Sequence, residues 1–542
     1  MGIGSIRITI SRAAVLLLVL AVVAPVLAAP GKYFEDERVG YKVKTPKGWS
    51  QVALKADEQW IILKYLSDKE HIYLDEVDKS TWTHRPDMTV IAFIESVVKK
   101  DGVEVTEEDE DTFVIEFNNP YKNYKDFLKR TYGGGGWFVH SEEEGEVNGI
   151  PVTQYEIKVE KLTMSGPKRI VTWVYHFDDV DLAVQFIVLE NVYGKLKGDI
   201  RGCLKSFKKI PRTKGSLTPS VTGGTRKFVN ESKMSTEERI EHRKQEEARI
   251  HQKTIKSLPD DWKVKEIGPF LVLLHGDEKY AKVVAKQAGA IWKWLDKNFG
   301  FVGKGEYVKR PIIRICKDRD EYYAFFSGTS WGSGLEIVTY EDTASGAVSR
   351  QFEYINKRMY AIWFNHRARD VYWAMPHWMD LGLEETLAKA KPKGSKLEFK
   401  IDEWERDGLR ESARNDQLTP PKTLVMLGRG DFGDNPHRVK QSTAFVRFLL
   451  TSKAKKTKSI MKDYLSNLQD ILDEQKEAEK GKESEAYDAP ETEEEEEERF
   501  AKRRQEMKER ESEFLQSVFD RTFDDWTDKD WKKVRDQYYK SI

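Results

Sequence analysis

The chain has 542 residues, which is long enough for two large domains or about three to four average ones. It carries 90 Lys and Arg against 91 Asp and Glu, and this balance excludes a protein that tracks nucleic-acid phosphates, which needs a basic excess. Its 25 Phe, 22 Tyr and 15 Trp can fill hydrophobic cores and exclude a wholly disordered chain. The only cysteines, Cys203 and Cys316, are too few for a disulfide-rich scaffold or a multi-cysteine zinc module.

The first 28 residues have the composition of a secretory signal. Arg7 and Arg12 precede an apolar run that extends from Ala13 to Val23. Compact residues up to and including Ala28 suit cleavage by a signal peptidase. The run is short for a membrane span, and an uncleaved N-terminal anchor is the alternative. We therefore expect an extracytoplasmic protein, periplasmic or secreted, with no transmembrane span after cleavage.

Residues 32–210 alternate polar and apolar positions as a sheet protein does, with turn residues between the runs. Met88, Ile91, Ile94 and Val98 instead fall at helical spacing and predict a helix. Strands are predicted at 41–44, 60–65, 113–117, 152–159, 170–177 and 182–189, and further helices at 121–132 and in the segment that ends at 206–207. This pattern is typical of an α+β domain with one antiparallel sheet.

Short motifs in this block resemble a PsbP-type domain. They are Gly40-Tyr41 leading to Pro46-Lys47-Gly48-Trp49, the Val147-Asn148-Gly149 turn before a strand, and the closing Ser206-Phe207. The resemblance covers about 175 residues. It implies a binding or accessory fold without a fixed catalytic centre.

Residues 211–258 are predicted to form a linker followed by a charged helix. The stretch from Pro211 to Gly224 is rich in Pro, Gly, Ser and Thr, and 237–255 is highly charged. The helix carries the potential metal ligands His242, Glu246, Glu247 and His251. Because the two histidines would lie on roughly opposite faces, we interpret these side chains as solvated rather than as a metal site.

The second block, residues 259–542, again mixes strands and helices and includes a charged insert near 470–510. Strands are predicted at 270–275, 312–316 and 334–340, and helices at 280–299, 319–326, 351–364, 441–450 and 514–539. The helix at 351–364 has an apolar stripe formed by Phe352, Ile355, Met359 and Ile362. The cysteines then lie in different predicted domains, and we expect two separate buried thiols.

The order of these elements and the segment Pro376 to Glu385 resemble a peptidase MA-like (gluzincin) domain. In that family a helix bears His-Glu-x-x-His, and a Pro-x-Trp-x-x-Glu-Gly-Leu-Ala-Glu segment supplies a third metal ligand. The resemblance covers about 280 residues. It implies a mixed sheet with a helical subdomain and, in intact members, a catalytic zinc.

The zinc machinery itself is missing from the sequence. None of the ten histidines is followed by Glu, and no two are four residues apart. The best register places Asn356, Lys357 and Tyr360 at the His, Glu and His positions, where the Lys357 cation would repel Zn²⁺. Leu381 replaces the third ligand, and Glu385 alone keeps a carboxylate at a family position. The resemblance therefore implies a pseudopeptidase with no metal and no other cofactor.

The second block contains two rival candidate sites. His366, His377 and Glu384 or Glu385 could form a different metal site, although their spacing fits no short motif. Residues 328–332 read Gly-x-Ser-x-Gly, with Asp370 or Asp380 and His437 as later partners, but a strand rather than the required helix is predicted to follow.

The sequence thus predicts an exported α+β protein of two domains without peptidase activity, which binds a peptide, a protein or an envelope component. His377, Trp378 and Glu384 are the candidate cleft residues, and an edge strand at 335–340 could hold an extended chain. The alternatives are an active metallohydrolase with displaced ligands and a purely structural envelope protein. Nucleic acid is not an expected partner, because no aromatic residues interleave the lysines at 453–462.

Overall fold

The fold of the chain is α+β, as predicted from the sequence. The computed structural model describes residues 31–55, 61–94, 103–109, 112–118, 121–132, 136–160, 166–213, 223–229, 231, 234–326, 334–342, 347–394, 396–432, 436–479 and 493–542. The described residues form two compact units. Unit 1 comprises residues up to 229 together with 258–260, and unit 2 comprises residues 230–257 and those from 261 onward, apart from a short segment at 327–330.

Unit 1 contains the strands and helices that come first in the chain. They are β1 (Tyr33–Asp36), β2 (Tyr41–Lys44), β3 (Trp49–Gln51), β4 (Ile61–Ser67), β5 (His71–Leu74), β6 (Thr81–His84), β7 (Asp87–Phe93), β8 (Val103–Asp109), β9 (Thr112–Asn118), α1 (Tyr124–Thr131), β10 (Trp137–Val147), β11 (Ile150–Val159), β12 (Lys168–His176), β13 (Asp181–Leu189), α2 (Glu190–Lys205), β14 (Lys208–Lys209) and β15 (Gly223–Val229).

The main sheet of unit 1 has seven strands in the order β10-β11-β12-β13-β7-β4-β3, and every neighbouring pair is antiparallel. Side chains of α1 pack in the core on one face, and side chains of α2 pack in the core on the other. Central strands such as β12 and β13 are therefore buried on both sides. This explains why they are nearly continuous apolar runs rather than alternating ones.

The helix predicted at 88–98 is wrong over its described part, because residues 87–93 form strand β7. Met88 and Val90 point into the core on the α2 side, and Ile91 and Phe93 point into the core on the α1 side. A strand buried on both faces shows no period of two, so its apolar residues also satisfied a helical template. Val98 lies outside the described residues.

The hairpin between β10 and β11 turns at the predicted Asn148-Gly149. Both residues have positive φ, at 54° and 79°, which matches the twist of a two-residue hairpin and suits Asn and Gly. Asn148 Nδ2 also donates to the carbonyl oxygens of Lys205 (3.1 Å) and Phe207 (2.7 Å) at the end of α2. One turn residue therefore closes the hairpin and caps a helix.

Unit 2 contains the remaining elements. They are α3 (Thr236–Lys256), β16 (Lys263–Ile267), β17 (Phe270–Leu274), α4 (Glu278–Phe299), β18 (Ile312–Cys316), α5 (Arg319–Phe326), β19 (Glu336–Tyr340), α6 (Ala347–Arg367), α7 (Arg369–Ala374), α8 (His377–Ala388), β20 (Ala390–Lys393), β21 (Lys396–Phe399), α9 (Glu403–Arg414), α10 (Pro421–Leu424), α11 (Arg429–Phe432), α12 (Pro436–Thr451), α13 (Lys455–Glu479), α14 (Glu493–Phe523) and α15 (Asp528–Ser541).

The sheet of unit 2 is mixed and has the order β16-β17-β18-β19. The pair β16-β17 is antiparallel, whereas β17-β18 and β18-β19 are parallel. Helices α4 and α6 share one core with the sheet, and α4 begins where the Asp277 side chain accepts a hydrogen bond from the Tyr280 N–H. This agrees with the predicted mixed sheet accompanied by helices.

Helix α8 packs between α6 and α12 in the helical part of unit 2. Gly382 makes the α8–α12 approach possible, because a Cβ there would lie 2.5 Å from Val446 Cγ2 and 2.9 Å from the Ser442 carbonyl oxygen. Trp378 on the same helix is fully buried and contacts the rings of Phe445 and Tyr464. The backbone of α8 is therefore held firmly against its neighbours.

Two predictions for residues 211–258 need correction. Gly223 and Gly224, assigned to the linker, begin strand β15, which pairs with β9. Glu247, interpreted as solvated, is 3% exposed and accepts hydrogen bonds from Tyr307 Oη and from the backbone and guanidinium of Arg310. One face of the charged helix α3 is therefore packed, although its composition is that of a solvated helix.

Cys203 and Cys316 are both buried free thiols. Among the helices that the structure describes, none has both the length and the apolar character needed to cross a membrane. The predicted signal segment at 1–28 lies outside the described residues.

Candidate functional site

The positions predicted to replace the zinc motif lie where α6 packs against α8. Asn356, Lys357 and Tyr360 project from α6, and Asp380, Glu384 and Glu385 project from α8. We call these six residues the α6–α8 seam. Spacings of three to five residues along each helix repeat roughly once per turn, so each helix contributes a coherent row of polar groups to the contact.

Asn356 is fully buried and is bonded at both ends of its amide. Its Nδ2 lies 3.0, 3.0 and 3.2 Å from the carbonyl oxygens of Leu387, Ala388 and Ala390, at the end of α8. Its Oδ1 accepts a hydrogen bond from Gln287 Nε2 of α4 at 2.9 Å. The last carbonyls of a helix have no partner within the helix, so Asn356 acts as their cap.

Lys357 and Glu385 form an ion pair across the seam. Their side chains are 34% and 30% exposed, so the pair lies at the boundary between the helix contact and solvent. The Lys357 ammonium group is therefore neutralised by the Glu385 carboxylate.

Tyr360 and Asp380 form the innermost pair. The buried Tyr360 hydroxyl donates to Asp380 Oδ1 at 2.8 Å. Burial raises the pKa of Tyr360 well above its usual range, and the adjacent Asp380 charge raises it further. Burial also raises the pKa of Asp380, although the Tyr360 hydrogen bond opposes this shift. The pair can hold or share a proton, and its one potential zinc ligand, the Asp380 carboxylate, is engaged by the Tyr360 hydroxyl.

Glu384 lies beside these pairs on α8. Burial raises its pKa, Lys357 opposes the shift, and the negative charges of Asp380 and Glu385 add to it. Glu384 and Glu385 thus share Lys357, whereas the cation close to Asp380 is Arg429. A cationic group brought to Glu384 would relieve this repulsion.

The other predicted site residues do not line a cleft together with the α6–α8 seam. Trp378 is a core side chain, which corrects its assignment as a cleft residue. His377, the other candidate cleft residue beside it, is half-buried and contacts the Phe432 ring, with the ring centroids 5.8 Å apart. Burial and the nearby charges of Lys309 and Arg243 lower the pKa of His366 to about 4, which makes its surroundings unfavourable for a metal cation.

Within the described ranges, no three or more His, Cys, Asp and Glu side chains are placed to hold a metal ion. Of the rival serine site, residues 328–332 lie outside the described residues. Its proposed partner Asp380 bonds Tyr360, and Asp370 forms an ion pair with Lys476.

Sequence reasoning missed the contribution of α6 to strand β19. Arg358 Nη2 lies 3.1 Å from the Gly334 carbonyl oxygen and 3.4 Å from that of Glu336. Because Ile312 N–H donates to Leu335, alternate residues from Leu335 face β18, and Gly334 and Glu336 face the open edge. Tyr354 in turn hydrogen-bonds the backbone of Val338 on that edge.

The edge of β19, which the sequence offered for strand addition, is thus occupied by side chains of α6 along much of its length. The sequence signal for this contact was the spacing of Tyr354 and Arg358, one helical turn apart. An exposed helix commonly carries such residues too, so the spacing alone does not predict the contact. Asp380 was similarly missed as the partner of Tyr360, although its spacing of four from Glu384 placed the two carboxylates on one face.

Comparisons with known proteins give limited information. No family model and no curated protein matches the chain. Among solved structures, the solution structure of PsbP from Synechocystis sp. PCC 6803 aligns with 35% of this chain and 98% of its own, at 14% identity and a TM-score of 0.22. A Pseudomonas aeruginosa protein of unknown function aligns with 26% of this chain and 99% of its own, at 6% identity and a TM-score of 0.15.

A third match is a crystal structure from Bacteroides thetaiotaomicron. It aligns with 48% of this chain and 76% of its own, at 11% identity and a TM-score of 0.18. The first of the three matches belongs to the family predicted for residues 32–210, whereas the gluzincin resemblance stays a prediction.

Proposed function

We propose that the protein is an exported, non-catalytic pseudopeptidase that binds a peptide, protein or envelope component at the α6–α8 seam. The observation that carries the proposal is the Lys357–Glu385 ion pair, at two positions that the predicted register aligns with the general base and a carboxylate of the resembled family. Export rests on the composition of residues 1–28.

The chemistry of the seam supports binding rather than hydrolysis. A catalytic zinc needs about three protein ligands and an open water position. Asn356 uses its amide to cap α8, and Tyr360 donates to Asp380. A metal at this point would have to break those bonds and overcome the charge of Lys357.

The same groups indicate the charge of the ligand. Glu384 and Glu385 lie close to a single lysine, and repulsion from Asp380 and Glu385 contributes to the raised pKa of Glu384. Trp373 on α7, which is 59% exposed, and half-buried Tyr372 offer apolar surface in the same unit. We therefore infer a ligand segment that carries a positive group, either a basic side chain or a free amino terminus.

The test is a binding titration with two matched pools of short random peptides. One pool has free amino termini, and the other is acetylated, so that both backbone and side-chain composition are shared. We expect saturable binding that Glu384→Gln weakens about ten-fold, as for the loss of a partly desolvated charge contact. Glu403→Gln, at an exposed position of α9, is the matched control and should leave binding unchanged.

The two pools separate the candidate cations. If the acetylated pool binds as tightly, the cation is a side chain; if it does not, the cation is the amino terminus. Cleavage of either pool in the presence of zinc would contradict the proposal and favour a metallohydrolase with displaced ligands. A failure of both pools to bind would favour a purely structural envelope protein.

A further inference from the structure

Strand β10 of unit 1 presents a long open edge. It spans 11 residues at one end of the seven-stranded sheet and pairs with β11 alone among the described strands. Eight of these residues, over most of the strand, are exposed. An open edge is a row of backbone donors and acceptors that another strand can pair with.

The register identifies the backbone groups that are open. The two-residue turn pairs Val147 with Ile150, and hydrogen-bonded pairs alternate from there along an antiparallel hairpin. Ser141, Glu143 and Gly145 accordingly face β11, whereas Glu142, Glu144 and Glu146 direct their N–H and C=O groups away from it. Pro151, which has no N–H, stands opposite Glu146, as expected for a pair that is not hydrogen-bonded to each other.

In the part of the chain that the structure describes, none of these six outward backbone groups has a hydrogen-bond partner. Glu142 Oε1 pairs with Lys125 Nζ at 2.7 Å, and the Glu144 carboxylate accepts from Thr153 Oγ1 at 3.1 Å, but both contacts involve side chains. The backbone groups of this edge are therefore available for pairing, even where the Glu142 and Glu144 side chains are held by other residues.

The side chains of β10 define the partner that this edge could accept. Glu143 and Glu146 are exposed, with no ion pair among the described residues, and they add to the charge of Glu142 and Glu144. Towards the start of the strand, Phe138 and Val139 are 45% and 42% exposed. A second copy of β10 would bring acids against acids, so the edge disfavours self-pairing and favours a cationic strand.

We propose that the β10 edge binds an extended segment of another protein, rich in Lys or Arg, as an eighth strand of the unit 1 sheet. The outward N–H and C=O groups of Glu142, Glu144 and Glu146 supply the backbone pairing. The exposed carboxylates select positive side chains, and Phe138 and Val139 receive an apolar end of the segment.

The probe is a synthetic peptide of alternating Lys and Val with one Phe near an end, matched in length to β10, titrated into the full chain. Two further peptides retain every charge and carry N-methyl groups on alternate amides. One of them is methylated along one edge of the peptide strand, and the other along the opposite edge. We expect one-to-one binding, with one N-methylated peptide weakened about ten-fold or more and the other nearly unaffected. Equal binding by all three peptides, or no binding, would overturn the proposal, because charge alone would then explain any affinity.

Protein variants test the same point from the other side. Glu144→Pro removes an outward N–H that the sheet itself does not use, whereas Glu144→Gln removes the same charge and keeps the N–H. We expect Glu144→Pro to bind about ten-fold less tightly than Glu144→Gln. Equal affinities of two folded variants would contradict strand addition, and if Glu144→Pro fails to fold, the methylated peptides decide the question.

The charge requirement is tested with Glu143→Lys, whose side chain is exposed. We expect it to weaken the Lys-rich peptide at low salt and to improve binding of a matched Glu-Val peptide. An unchanged preference would contradict the role of the carboxylates. Concentration-dependent dimerisation of the native chain that the peptide competes away would assign the edge to a second copy instead.

Discussion

The two edge strands β10 and β19 end their sheets in opposite ways. On β19 the outward carbonyls of Gly334 and Glu336 are bonded by Arg358, and the Val338 backbone is bonded by Tyr354. On β10 the outward groups of alternate residues have no such cover in the described part of the chain. A strand at the end of a sheet is therefore not by itself an open edge, because a neighbouring helix can satisfy it.

Helix α6 is responsible for the difference, because residues 354–360 bond two neighbouring elements, β19 and α8. Tyr354 and Arg358 bond β19, Asn356 caps α8, and Lys357 and Tyr360 pair with carboxylates of α8. The polar side chains of this stretch hold unit 2 together, whereas strand β10 of unit 1 leaves comparable backbone groups available among the described residues.

The largest expected effect concerns the buried cap on α8. Asn356→Ala should lower the free energy of unfolding of unit 2 by about 3 kcal/mol, because buried carbonyls at the end of α8 lose their donor. The measurement is a urea titration followed by fluorescence. Asn365→Ala, at an exposed position of the same helix, is the control. Equal losses of stability for the two variants would show that Asn356 does not stabilise the end of α8 as a cap.

A second effect concerns His275 of unit 2, whose charge is partly buried, whereas the acidic side chains of β10 are exposed. Burial alone would lower the pKa of His275, but hydrogen bonds to Asp261 and Glu321, at 3.2 and 2.7 Å, raise it to about 9. A raised histidine pKa means that the folded state holds its proton more tightly than the unfolded state. The resulting stability is fully present below pH 6.5 and is lost as the pH rises through about 9.

The loss over this pH range should be on the order of 2 kcal/mol after allowance for solvent screening. His275→Gln should abolish that part of the pH dependence, as measured by urea titrations at several pH values. A variant that keeps the full slope would show that another group is responsible.

Unit 1 provides a third test, because it too has one side chain that caps a helix. Asn148→Ala should cost about 1.5 kcal/mol, since it removes two hydrogen bonds to the end of α2 and places a Cβ-bearing residue without a polar side chain at positive φ. Asn148→Gly loses the same hydrogen bonds but tolerates the backbone. Thermal unfolding should therefore place it between the native chain and the alanine variant, and a glycine variant less stable than alanine would contradict this account.

The smallest effect should come from uncovering the β19 edge. Arg358→Ala should cost about 1 kcal/mol, because Gly334 and Glu336 can regain water at a partly exposed edge. The more informative result is sedimentation, where the opened edge should increase self-association relative to Arg350→Ala, an exposed control on α6. No increase in either variant would mean that Arg358 does not protect the edge.

Much of this fold could be predicted from the sequence where local signals were strong. The Asn148-Gly149 turn and the stripe on α6 each have a local pattern that only one structure satisfies well. Strand β7 was mispredicted because burial on both faces removes the alternation that marks a strand. Glu247 was mispredicted because its burial depends on a loop some 60 residues away, at Tyr307 and Arg310.

The candidate site was predictable as a place but not as a set of contacts. The segment Pro376 to Glu385 and the register of Asn356, Lys357 and Tyr360 directed attention to two helices, and the structure packs those helices together. Which side chain meets which depends on the rotation of each helix. This is set by the core and by the close approach at Gly382, and neither is visible in a local pattern.

We propose that α6 uses side chains to hold its neighbours at the positions that the sequence aligns, as a prediction, with gluzincin zinc ligands. Metal analysis of the full chain, purified without chelators and dialysed against micromolar zinc, tests it most directly. We predict substantially less than one zinc per chain and no shift in unfolding temperature when zinc is added. About one tightly held zinc per chain, lost together with stability in the Tyr360→Phe or Glu385→Gln variant, would contradict it.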